Sequence, residues 1–281
     1  MTESQKAVKA PAPYLNGRGQ YKVTNPLTKE NELYERVTRF SDKLKKPQLE
    51  AWSKRKMLDG VFDNSSYFLK TMGKINTFDL PKKERDNQLN ALAQEAHRLG
   101  GGYEAADYGT FVHGVSERYM TNKITKKEIG ELPEHLKAQL LSLRNTISQI
   151  TGVDQPLDNT ERIVLNTKYR VAGQYDMCLT LPDGTSVIAD IKTGSVETYA
   201  LPGFSTQLHL YASADWVYDR DSGCYEPMEG VSTDYGYILH MPRQEDFCTL
   251  KKVSLSYGEK AAKIYADVRE MEKEGRTLDF L

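Results

Sequence analysis

The chain has 281 residues, enough for one large domain or two small ones with a substantial core. Hydrophobic residues make up 39%, and 38 Lys and Arg almost match 39 Asp and Glu; the net charge of -1 excludes a wholly basic, histone-like binder but leaves room for local basic patches. Cys178, Cys224 and Cys248 lie far apart with no CxxC, which excludes a disulfide framework and a cysteine zinc site, and with no apolar run of roughly 18 residues and no apolar signal core the expectation is a soluble, cytoplasmic protein.

Residues 1–20 are small, polar and rich in Pro and Gly, and are predicted to be a flexible tail. Arg36–Phe62 carries eight basic residues (Arg36, Arg39, Lys43, Lys45, Lys46, Lys54, Arg55, Lys56) against three acids (Asp42, Glu50, Asp59), with helical pieces expected on both sides of Pro47. A helix is predicted from near Pro81 to the Gly100–Gly102 cluster. "AADYGTFVHGVSERYM" reads as a helix with His113 and Glu117 four residues apart, and a polar helix follows around Pro133–Ile150. From Glu161 the texture changes, and "ERIVLN", "GQYDMCLTL", "SVIADIKT", "DYGYILHM" and "CTLKKVSLS" read as strands. "STQLHLYASADWVY" between them reads as a helix, and "YGEKAAKIYADVREMEKE" as a closing one. The predicted organisation is one α/β domain over 21–281, mainly helical over 21–158 and sheet-bearing over 159–281. His97, His135, His209 and His240 have no paired spacing that marks a site.

The hairpin around "PDG" carries the chemistry. If Pro182-Asp183-Gly184 is the loop and Leu181 pairs with Thr185, the pairing sum is 366 and Asp176 falls opposite Asp190. Strand side chains alternate faces. Tyr175, Met177, Leu179, Leu181, Val187, Ala189 and Ile191 then form one apolar face. Gln174, Asp176, Cys178, Ser186, Ile188, Asp190 and Lys192 form the other. Opposed residues have Cβ atoms about 4.5–5.5 Å apart, so two acids there repel unless something positive lies between them. A divalent cation with oxygen ligands would serve, and so would the plainer arrangement of a polar sheet face with an Asp190–Lys192 surface pair. A register slip of one residue would remove the opposition.

Gly173-Gln174-Tyr175-Asp176 followed by Asp190-Ile191-Lys192-Thr193 resembles the signature of the PD-(D/E)XK nuclease superfamily in its RecB-like form, "GxxD" then "DxKT". That form continues with a helix bearing "QxxxY", matched here by Gln207 to Tyr211, and is preceded by a helix with "GTxxHxxxE", matched by Gly109, Thr110, His113 and Glu117. The resemblance covers roughly Arg36 to the C-terminus and is nearest to phage-encoded and CRISPR-associated RecB-like exonucleases. It implies a restriction-endonuclease-like core, a mixed β-sheet flanked by helices, with a helical N-terminal part.

The resemblance also implies roles. Asp176, Asp190, the Ile191 carbonyl and His113 would be metal ligands, for Mg²⁺ or Mn²⁺. Lys192 would hold the attacking water and the scissile phosphate. Gln207 and Tyr211 would orient Lys192 or the phosphate, although Tyr211 could instead join Leu208 in the core. Glu117 would support His113 or hold a second metal, with an exposed helix acid as the plainer alternative. Lys54 and Arg55, in the basic stretch with Phe40 and Trp52, could line a nucleic-acid channel or simply face solvent. The iron–sulfur cluster of many CRISPR-associated relatives is not expected with three scattered cysteines, and without GxxxxGK[ST] no nucleotide cofactor or motor is expected. The expected activity is that of a metal-dependent DNA exonuclease serving recombination, repair or phage DNA processing. A catalytically silent DNA-binding or assembly protein and a site-specific endonuclease are the alternatives. DNA is the expected partner, with no membrane; a homo-oligomer or a recombination partner protein is left open.

Overall fold

The computed structural model describes residues 6–43, 47–75, 80–154, 157–194, 196 and 198–277. The chain divides into two compact units, Met1–Leu44 with Val112–Leu281, and Lys45–Phe111. The sequence had suggested one domain. The second unit is a helical stretch placed between two parts of the first, so no change in composition marks its edges.

The first unit opens with strands β1 (Val8–Lys9), β2 (Tyr14–Leu15), β3 (Gln20–Thr24) and β4 (Asn31–Arg36) and helix α1 (Val37–Ser41). The second unit holds α2 (Pro47–Asp63), α3 (Ser65–Met72), α4 (Lys82–Leu99) and the start of α5 (Glu104–Met120). The first unit resumes with the end of α5, then α6 (Lys126–Glu131), α7 (Glu134–Thr151), β5 (Ile163–Asn166), β6 (Val171–Gln174), β7 (Met177–Thr180) and β8 (Ser186–Lys192). It closes with α8 (Leu201–Ala212), β9 (Trp216–Asp219), β10 (Cys224–Pro227), β11 (Tyr235–His240), β12 (Thr249–Ser254) and α9 (Ser256–Gly275).

Among the described residues the strands form two mixed sheets, an eight-stranded one in the order β1-β10-β9-β5-β6-β4-β3-β2 and a four-stranded one in the order β12-β11-β8-β7. The fold is therefore α/β, with mixed sheets flanked by helices. No described helix is long and apolar enough to cross a membrane.

Two elements correct the expectations. The predicted tail is not free where it is described: β1 pairs with β10 through Val8↔Tyr225, and β2 pairs with β3 through Tyr14↔Lys22. Both lie at sheet edges, where a backbone interrupted by Pro11 and Pro13 is tolerated because the unpaired side needs no N–H. Residues 1–5 of that tail lie outside the described residues. The helix predicted over "STQLHLYASADWVY" stops at Ala212, and "WVYD" is β9, buried between β5 and β10.

The hairpin register is the one the turn demands. Met177↔Ala189, Cys178↔Ile188, Leu179↔Val187 and Thr180↔Ser186 all sum to 366. The Leu181 N–H donates to the Thr185 carbonyl at 2.8 Å, the Thr185 N–H donates to Asp183 Oδ1 at 2.9 Å, and Gly184 takes φ +85°. The ladder stops at Met177↔Ala189, so Asp176 is not paired with Asp190 as expected, and the face assignment fails at Tyr175. Tyr175 packs with Cys178, Ile188 and Leu208, not on the Met177 side. The chain bends at Tyr175–Asp176, where it leaves the eight-stranded sheet for the four-stranded one, so alternation is reset there.

Candidate active site

That crossing is where the polar residues gather. Before it, β6 pairs antiparallel with β5 (Ile163↔Gln174), and the same pairing runs on past the strand ends: Glu161 N–H donates to the Asp176 carbonyl at 3.0 Å, and Thr160 bridges Met177. After it, β7 pairs with β8. Asp176 thus sits with one sheet on each side. The hairpin ladder would next offer the Ile191 N–H to the Tyr175 carbonyl; the bend moves that carbonyl away, and Asp176 Oδ2 accepts the N–H instead at 2.7 Å. This bond ties Asp176 to the residue next to Asp190.

His113 arrives from α5, whose Val112, Val115, Ser116 and Met120 are buried. Its Nδ1 lies 3.2 Å from Asp176 Oδ2. One ligand atom from each of His113, Asp176 and Glu161 lies within 4.8 Å of the others. Glu161 was not foreseen as a site residue. It stands at φ +51°, is hydrogen-bonded by the Gln174 side-chain amide, and its carboxyl is pushed up to about 7 by burial and by the negative charges of Asp176 and Glu117. The available signal was the acid two residues ahead of "IVL", just before the strand that pairs with "GQYD". Burial would push the His113 imidazole down, but Asp176 beside it, and Asp190 farther off, hold it above its ordinary value. Glu117, one turn along α5, lines a cleft of about 540 Å³ together with Glu161, Arg162, Lys123 and Arg220.

Asp190 is buried and stands slightly apart from that trio. Lys192 Nζ lies 2.5 Å from its Oδ2, and Gln207 Nε2 donates to its Oδ1 at 3.0 Å. Gln207 Oε1 accepts from Lys192 Nζ at 3.3 Å, so this one amide spans both members of the ion pair. Burial drives the Asp190 carboxyl up, Lys192 opposes it, and Asp176 adds to the rise. Burial would push the Lys192 ammonium down, but Asp190 and Asp176 hold it above its usual range, so the amine stays charged. The Phe204 ring lies 5.5 Å from Lys192 Nζ.

Helix α8 positions Gln207 because both its ends are pinned. Ser205 Oγ donates to the Ser254 carbonyl and accepts from the Gly258 N–H, and a Cβ on Gly258 would meet the Ser205 carbonyl oxygen at 2.2 Å. At the other end Asn166 Nδ2 donates to the Leu210 and Ser213 carbonyls. Tyr211 touches the polar cluster from the core side, its hydroxyl hydrogen-bonded to the Gln207 side chain. It is 2% exposed and belongs with Leu208 to the core, and a Cβ on Gly173 would come within 2.8 Å of its ring and 3.0 Å of Val37. The glycine of "GQYD" and the tyrosine of "QLHLY" are therefore two sides of one contact, which fixes α8 against β6.

Of the residues singled out from the sequence, His113, Asp176, Ile191, Asp190, Lys192 and Gln207 come together, Glu117 lies alongside, and Tyr211 supports from below. The basic stretch does not form a shared surface with its aromatics. Phe40 is fully buried between the rings of Tyr169 and Tyr265, and Trp52 meets the His97 ring edge-on at 5.8 Å. Lys54 and Arg55 are exposed on α2 in the second unit; Lys45 and Lys46 lie outside the described residues. No protein-family model and no curated protein matches the chain.

Proposed function

We propose that this protein is a metal-dependent deoxyribonuclease of the RecB-like type, built on a restriction-endonuclease-like core and acting on DNA ends. The observation that carries the reading is the connected set His113, Glu161, Asp176, Asp190, Lys192 and Gln207, in which an imidazole and two carboxylates gather in one group and a third carboxylate beside them is paired with a charged amine. The donor chemistry fits a hard divalent cation. Two of the carboxyls are pushed up partly by the charge of Asp176, and a cation would relieve that repulsion. His113, Glu161 and Asp176 would hold it, with Asp190 and the Ile191 carbonyl adjoining. Bound there, Mg²⁺ or Mn²⁺ would lower the pKa of a water and neutralise phosphate charge.

The remaining work falls to the chain itself. Lys192, kept protonated by Asp190, offers a fixed positive charge to a phosphate oxygen and to the incoming water. Gln207 bonds to both members of the closed Lys192–Asp190 pair and so fixes its orientation. Asp176, bonded to the Ile191 N–H and in contact with His113, ties the hairpin to the His113 helix. A binding protein has no use for a buried amine held in this way.

The test is digestion of linear DNA labelled separately at each end, and of closed circular DNA, with Mg²⁺, Mn²⁺ or EDTA. Metal-dependent loss of end label with intact circles is expected. Cleavage of circles would make the enzyme an endonuclease, and binding without cleavage in any metal would move the silent DNA-binding reading ahead.

A further inference from the structure

The C-terminal helix has two apolar faces, and the molecule uses one. Gly258, Ala261, Ala262 and Tyr265 of α9 are buried, with α8 packed against them. Tyr257, Ile264, Val268 and Met271 form a second stripe and are exposed by 45%, 58%, 41% and 69%. Their spacing of seven, four and three places them on one side of the helix, about one-third of a turn from the buried face. Four large apolar side chains in line, along a helix of 20 residues, are more than scattered surface residues.

Charge identifies what covers the stripe. One of its flanks carries Lys260, Asp267 and Glu274, seven residues apart and all exposed. The neighbouring charges are satisfied within the helix, Lys263 with Glu259 and Lys273 with Glu270, each at 2.7 Å. Among the described residues neither Lys260 nor Asp267 has an ion-pair partner. We infer that α9 pairs with α9 of a second copy of this chain, antiparallel, about a two-fold axis at Ile264. In an antiparallel pair each flank meets the same flank of its partner. Tyr257 then packs against Met271 of the second copy, Ile264 against Ile264, and Lys260 against Asp267 in both directions. A parallel pair would instead bring Asp267 and Glu274 toward Glu272 of the other copy, like charge against like. The acidic C-terminal half of the helix also disfavours an anionic lipid surface, which selects Lys and Arg.

The experiment is sedimentation velocity on the full chain, from about 1 µM to about 100 µM, the range suited to a small interface. The wild type is expected to pass from monomer to dimer, and Ile264→Asp to stay monomeric throughout. Lys260→Glu and Asp267→Lys should each weaken the dimer by about tenfold or more, because each sets like charges face to face. The double variant restores opposite charges and should return to within a fewfold of the wild type. A wild type monomeric at the highest concentration, a dimer indifferent to Ile264→Asp, or a double variant no better than the singles would each overturn the inference. Far-UV circular dichroism establishes that the variants are folded, and should Ile264→Asp fail to fold, the charge exchange decides alone.

Discussion

The two units of this chain are held together by different means. The first buries Trp216, Tyr34, Tyr175, Tyr211, Tyr225 and Phe40 almost completely, in cores continuous with two sheets. In the second, Phe68 and Ala96 are the buried hydrophobics among the described residues, while Leu58, Phe62 and Leu69 are more than two-thirds exposed. Its helices are joined by backbone instead. A Cβ on Gly60 would lie 1.9 Å from the Ala96 carbonyl oxygen, and one on Gly100 would lie 1.9 Å from the Lys56 carbonyl oxygen, so α2 and α4 touch where neither has a side chain. The difference teaches where a rigid site can be built. A cluster of buried charges needs neighbours locked by packing on all sides, and the first unit supplies that. A unit closed by two glycines is expected to open at lower cost.

The largest effect expected concerns the chemistry of the first unit. Lys192→Ala should lower single-turnover cleavage by a few hundredfold, about 3–4 kcal/mol, with DNA affinity in Ca²⁺ or EDTA changed little. It should also lower the melting temperature, because buried Asp190 loses its amine. Cleavage at the wild-type rate would remove the nuclease reading of this site.

Next comes the seam of the second unit. Gly60→Ala or Gly100→Ala should destabilise that unit by about 2–3 kcal/mol, since backbone must move to admit a methyl group. Amide hydrogen exchange should speed up across Pro47–Leu99 while β5, β6 and β8 keep their protection. Equal loss in both units would show that they unfold together and would blunt the contrast. Gly173→Ala asks the same of the first unit. Its methyl meets the Tyr211 ring and Val37, both able to shift by a few tenths of an ångström, so about 1–2 kcal/mol is expected from the denaturant midpoint.

A smaller effect should appear with pH. His209 is buried on α8, and burial pushes its imidazole down to about 4. The folded state therefore holds it neutral while the unfolded state takes up a proton below about 6.5. Stability is complete above that value and is lost as pH falls from about 6.5 toward 4, by on the order of 1 kcal/mol after allowance for partial solvation. His209→Gln should flatten this part of the stability curve, and an unchanged curve would remove the assignment. The smallest effect is expected from Lys54→Ala with Arg55→Ala. These exposed charges should alter DNA affinity by a fewfold and reduce its salt slope by at most about 2, leaving the chemical step alone. An unchanged binding isotherm would mean that this face of the second unit is only solvated.

Much of this was legible in the sequence because it is local. Turn chemistry at Asp183-Gly184 sets the hairpin register, and a period of two then places Asp190 and Lys192 on one face. Pro81 and Gly100 bound α4 for reasons contained within it. The four-residue step from His113 to Glu117 needs only a helix. What the sequence could not decide is which elements lie across from one another. Glu161 joins the site through a pairing with Asp176 that continues the β5–β6 ladder past its strand ends. Tyr175 changes sides because the chain changes sheets there, and periodicity carries no record of a partner exchange. Phe40 looked available beside so many lysines and arginines, and is buried because Tyr169 and Tyr265 come from distant parts of the chain to enclose it. Alternation and capping are properties of a few consecutive residues, whereas enclosure is a property of whatever packs against them, and that is settled only when the whole chain has folded.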